Sequence, residues 1–146
     1  MAVPSVLPDL SFPSRNEEGT PSFEEYPTDE IYAGTPTAVD FDAYPEAAAF
    51  FTAITNGAQE GPNFAGQYTV VSWGCGTSCQ SSAIIDAKTG AIAAYDIPSS
   101  YGLAYTLEST LLIVNPADEI SLPDDALVPV ETAYYNLKDG ALLRVR

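Results

Sequence analysis

Two cysteines four residues apart, in the run Trp73-Gly-Cys-Gly-Thr-Ser-Cys-Gln80, constrain this chain more than any other feature. A disulfide needs Cα atoms roughly 4.4–6.8 Å apart, whereas four residues of extended chain separate them by about 13 Å. If Cys75 and Cys79 are bridged, the chain therefore turns sharply between them, and Gly74 and Gly76 supply the backbone freedom for that turn. Closing so short a loop restricts the unfolded chain little, by about 2 kcal/mol on the loop-entropy estimate. The bridge is expected to shape a corner more than to hold the fold.

Three other readings compete for the two thiols. Zinc is left short of ligands, because the chain contains no His and no second Cys pair. The C-x-x-x-C spacing is not the C-x-x-C of redox enzymes, and no helical pattern follows it to lower a thiol pKa. A catalytic cysteine lacks its usual base, again for want of His. A structural disulfide is the favoured reading, and it implies an oxidising compartment, periplasmic or secreted. The N-terminus lacks a basic region followed by an apolar core, so no signal peptide is expected in this chain.

Around the corner the pattern is mostly β. Strands are expected over 67–73, 81–86, 91–97 and 105–114, with a hairpin at Asp86-Ala-Lys-Thr-Gly90 and another at Asp139-Gly140 joining 132–137 to 141–145. A polar, Pro-rich loop is expected over 116–130. From Tyr44 to Asn56 the spacing is helical, with Tyr44, Ala47/Ala48, Phe51 and Ile54/Thr55 on one face and Asn56-Gly57 as the stop. Residues 1–39 hold six prolines and recurrent apolar residues, which predicts an extended arm laid as a strap on its own domain. The expected fold is α+β, mainly β: an antiparallel meander of about five to six strands carrying one helix, with the arm over 1–39 and a single disulfide-containing domain over 40–146.

The stretch Asn63-Phe-Ala-Gly-Gln-Tyr68, the Trp73–Gln80 run, Ala83-Ile-Ile-Asp-Ala-Lys-Thr-Gly90 and Leu107-Glu-Ser-Thr-Leu-Leu-Ile-Val-Asn115 together resemble a family of small secreted bacterial proteins. Its pattern is N-F-A-G-x-Y, then W-G-C-G-x-x-C-Q, then I-x-D-x-x-T-G and a run like D-S-R-L-L-x-V-N. The resemblance spans about residues 61–115, and Glu108 and Thr110 depart from the acid and Arg of the last run. It implies secretion and brings no activity with it.

The net charge of −15 is uneven. Residues 1–62 carry eleven acids against Arg15 alone, and residues 63–146 nine acids against four basic residues. Such a field repels nucleic acid and anionic membranes and steers cationic partners inward. No apolar run approaches the roughly 20 residues that span a bilayer, so membrane insertion is not expected.

Without His, and without G-x-S-x-G, P-loop or G-x-G-x-x-G motifs, most enzyme classes lose their usual parts. Carboxylate pairs leave a hydrolase open as an alternative. No cofactor is expected beyond a weak calcium hypothesis at Asp40, Asp42 and Glu46 or at Asp118, Glu119, Asp124 and Asp125, neither of which follows the calcium-loop pattern. The leading expectation is a non-catalytic binding protein for an unidentified cationic protein, such as a lysozyme that it would inhibit. Its recognition surface is expected at Trp73, Gly74, Gly76, Thr77, Ser78 and Gln80 with Tyr68 and Tyr95; packing of the sheet is the competing role for the tyrosines. A second expectation is self-assembly, with the arm adding as a strand to a neighbouring subunit.

Overall fold

The computed structural model describes residues 20–76, 79–116 and 131–146. Residues 1–19 of the arm, Thr77 and Ser78, and the loop residues 117–130 with their four acids lie outside the described residues.

Among the described residues, seven strands form two antiparallel sheets, and the α+β, mainly β class stands. The first sheet contains β1 (Tyr68–Gly76), β2 (Cys79–Asp86) and β3 (Ile92–Ser99) in sequence order. The second contains β4 (Leu103–Ala104), β5 (Leu111–Val114), β6 (Ala133–Lys138) and β7 (Ala141–Arg144), also in sequence order. Neighbours in sequence are thus neighbours in space, as a meander requires, but the meander breaks after β3 and stacks on itself.

Strand β2 lies in the middle of its sheet, and Ser81 to Ile85 are all buried. Burial on both faces, in place of alternation, marks a strand covered on two sides. One face carries Val71, Ala83, Ile85 and Ile92 against Ala47, Ile54 and Ala58 of the helical segment. The other carries Val70 and Ile84 against Phe64, Leu112, Val114 and Leu137, which ties the two sheets together. The layers are helix, three-stranded sheet and four-stranded sheet.

The helical segment begins as a 3₁₀ turn over Pro45–Phe50 and becomes α1 at Phe51–Ala58. This shifts the expected stripe. A 3₁₀ helix turns about 120° per residue against about 100° for an α-helix, so six residues advance the phase by about a third of a turn. Phe51, expected on the sheet, is 55% exposed, whereas Phe50 packs on Trp73. Nor does Gly57 end the helix. A Cβ there would lie 2.6 Å from Cγ2 of Val71, so glycine lets the helix sit close to β1.

The described part of the arm is bonded to its own domain. The Thr28 amide donates to the Glu108 carbonyl (2.9 Å), Tyr32 to Gly66 (2.7 Å), Thr37 to Ala87 (2.8 Å) and Asp40 to Gly90 (2.8 Å). In return the Thr110 amide donates to Tyr26 (2.7 Å). Gly90, at φ +84°, ends the β2–β3 hairpin, and a Cβ on it would collide with the Ala38 carbonyl.

The segment expected as one strand over 105–114 is strand only from Leu111. Before that, Thr106, Leu107 and Ser109 turn their carbonyls towards the Asn63–Gly66 loop: Ala65 donates to Ser109 (3.1 Å) and Gly66 to Leu107 (2.8 Å). Backbone groups spent on that loop cannot extend the ladder.

Candidate functional site

The sharpest local feature is the corner where β1 turns into β2. In register, Trp73 faces Ser81, Gly74 faces Gln80 and Gly76 faces Cys79, with the ladder shifted between Gly74 and Gly76. That shift is a bulge, and Gly76 stands in it at φ +135°, a conformation that disfavours a side chain. Cys75 and Cys79 are bridged, with Cα atoms 5.1 Å apart. Gly74, Cys75, Gly76 and Gln80 are exposed.

Trp73 is half-buried and stands in a row of rings. Phe50 stacks on it at 4.7 Å between centroids, with planes 23° apart, and Tyr95 stacks on it at 6.0 Å and 30°. Tyr44 extends the row from Tyr95 at 6.0 Å. Two elements build it: β1 and β3 set Trp73 and Tyr95 on the helix-side face, and the 3₁₀ turn carries Tyr44 and Phe50 down onto them. Offset stacks of this kind add about 0.5–1.5 kcal/mol per pair beyond the area they bury. Phe50 is still 36% exposed, so the row packs the sheet and also faces solvent.

Carboxylates sit beside this row. Burial first, and then the charges of Asp96 and Glu46, raise the Tyr95 hydroxyl above its usual pKa. The Tyr95 hydroxyl reaches the Glu46 carbonyl at 3.5 Å. Asp96 stands at φ +63° and accepts a 2.7 Å hydrogen bond from the Ser81 hydroxyl, which lies between Trp73 and β3.

The structure thus brings Trp73, Gly74, Gly76 and Gln80 to one end of the sheet, with the disulfide, and stacks Tyr95, from the middle of β3, on Trp73. It does not bring Tyr68 there. Tyr68 is five residues from Trp73 along β1, and an odd separation puts the two side chains on opposite faces. Tyr68 packs in the inter-sheet core, where burial and then Asp86 and Asp139 raise its pKa. Tyr105 joins it there, edge-on to Phe64 at 6.1 Å, its pKa raised by burial. Tyr135 lies in the same core beneath the Arg144 guanidinium, 5.6 Å from the ring centroid. For these tyrosines, packing is the role seen.

Two members of the row, Phe50 and Tyr44, were not expected at the site. Tyr44 was on the predicted sheet-facing stripe, but Phe50 was hidden by the 3₁₀ phase shift.

Among the described residues, no group of three or more His, Cys, Asp or Glu is placed to hold a metal ion. A cavity of about 430 Å³ carries Glu24 and Glu108 on its wall, yet both residues are exposed. No helix among the described residues is long and apolar enough to cross a membrane.

No protein-family model, curated protein or solved structure matches the chain.

Proposed function

We propose that the protein is a secreted, non-catalytic binding protein whose recognition face is the aromatic row Phe50–Trp73–Tyr95–Tyr44 beside the Cys75–Cys79 corner. The observation that carries this reading is the half-buried Trp73, stacked with both Phe50 and Tyr95 close to the disulfide corner, with the row still open to solvent at Phe50. Large, rigid aromatic side chains with a wet edge are the residues that most often anchor protein interfaces. Asp96 and Glu46 beside Tyr95, and the net charge of −15, favour a cationic protein as partner. An enzyme such as a lysozyme, which this protein would inhibit, is the sharpest form of the reading.

Calorimetric titration with lysozyme at low salt, beside an assay of its activity, tests this. Saturable binding that weakens with salt and is lost in Trp73→Ala supports the reading. An unchanged affinity in that variant contradicts the assigned face, and no binding at low salt removes lysozyme as the target.

A further inference from the structure

The edge of β1 is closed along one half and open along the other. Tyr68 points its backbone groups away from β2, and both are used: its amide donates to Phe64 and its carbonyl accepts from Asn63 and Phe64, each at 2.9 Å. Val70, two residues on, points the same way and is plugged by one side chain. Oδ1 of Asn63 accepts from the Val70 amide at 2.8 Å, and Nδ2 donates to its carbonyl at 3.2 Å.

Alternation then aims the backbone of Ser72 and Gly74 outward as well. Consistent with this, Ser72 and Ser82 form a close pair whose hydroxyls meet at 2.7 Å, as expected where the backbone bonds of both residues point away from each other. Among the described residues nothing bonds the outward N–H and C=O groups of Ser72 and Gly74, and both residues are exposed. A Cβ built on Gly74 meets nothing within 4 Å, so among the described residues the sheet face at this end of β1 is uncovered as well.

We propose that an extended basic segment of a partner protein adds as a further strand to β1 at Ser72–Gly74 and lays a Lys or Arg side chain against Trp73. The inference rests on the reading of the aromatic row as the recognition face and says how that face is engaged. Unpaired edges are ready templates for an incoming strand, and two outward residues offer two donors and two acceptors. Every second side chain of the added strand falls on the face of Trp73 and Phe50, where a cation is attracted by the rings.

Charge selects the occupant. Asp96 and Glu46 flank the row, and the described basic residues lie on other segments: Lys88 on the β2–β3 hairpin, Lys138 and Arg144 in the last two strands and Arg146 just beyond them. The disulfide supports this arrangement by stapling the end of β1 to β2, which keeps the open edge in register.

The test uses a blocked heptapeptide of alternating Arg and Val, and the same peptide N-methylated at alternate residues so that it cannot complete a ladder. Because Trp73 is the only tryptophan, its fluorescence reports binding directly. Saturable binding of the plain peptide is expected, with affinity about tenfold lower for the N-methylated peptide and for Gly74→Pro, which removes an outward donor. Slowed amide exchange at Ser72 and Gly74 in the wild type on peptide addition is the second readout, independent of how the proline variant folds. Equal binding of both peptides and unslowed exchange, with loss of binding by calorimetry in Trp73→Ala, would overturn strand addition and leave the aromatic face standing. Binding by Trp73→Ala equal to wild type would overturn both. Failure of the wild type to bind the plain peptide would overturn strand addition.

Discussion

The two faces of the three-stranded sheet are packed by opposite means. On one, Val70 and Ile84 meet Phe64 of the loop before β1 and Leu112 and Leu137 of the facing sheet in a mainly aliphatic core. On the other, α1 spans about 12 Å while β1 runs about 30 Å, so the helix covers only part of the strand. The remainder is roofed by aromatic rings from the 3₁₀ turn and stays partly in water. The difference teaches that the same strands can serve as scaffold on one side and as a recognition surface on the other, with β2 buried between the two.

The comparison would break first at its closed face. Phe64→Ala, which empties a fully buried ring position, is expected to cost about 3–5 kcal/mol, and Ile84→Ala about 2–5. Denaturant unfolding checks this; a cost near that of a surface residue would show that the inter-sheet core is not closed. Next comes the helix contact. Gly57→Ala gains about 1 kcal/mol of helix propensity but drives a Cβ into Val71, so a net loss of about 1–2 kcal/mol is expected, and a gain would mean that α1 can lift off the sheet.

Loss of the disulfide through Cys75→Ser with Cys79→Ser is expected to cost about 2 kcal/mol and to loosen the corner before the rest of the sheet. Full unfolding on mild reduction would show a global role for the bridge instead. The smallest effect sharpens the contrast by pH. Tyr105 is raised above the ordinary value of 10.0 by burial, so the unfolded chain ionises there first. Its contribution is constant below pH 10 and is lost as pH rises through the folded value. Tyr105→Phe should therefore leave stability at pH 7 nearly unchanged and reduce the loss above pH 10, as read by melting temperature against pH.

Local chemistry was legible in the sequence. Asp139 and Gly140 both take positive φ, +53° and +79°, as the two-residue hairpin requires, and Gly90 closes the other hairpin. The cysteine spacing located the corner, where Cys75 and Cys79 are bridged. Tyr68 shows a signal that was present but unused, because its five-residue offset from Trp73 already fixed the opposite face. The split of the meander into stacked sheets was not legible, since it depends on contacts between Val70 or Ile84 and residues far along the chain. Nor was Phe50, whose position turns on a 3₁₀ lead-in that apolar spacing alone does not distinguish from an α-helix. The Asn63 plug on β1 depends on a side chain reaching seven residues along the chain, which no short motif encodes.

The most direct test of the contrast is the pair Trp73→Ala and Tyr95→Ala in one protein, measured for melting temperature and for affinity towards a basic, tryptophan-free protein at low salt. The account predicts a fold that still melts cooperatively within several degrees of the wild type and an affinity at least about tenfold weaker. Unchanged affinity, or collapse of the fold, would contradict it.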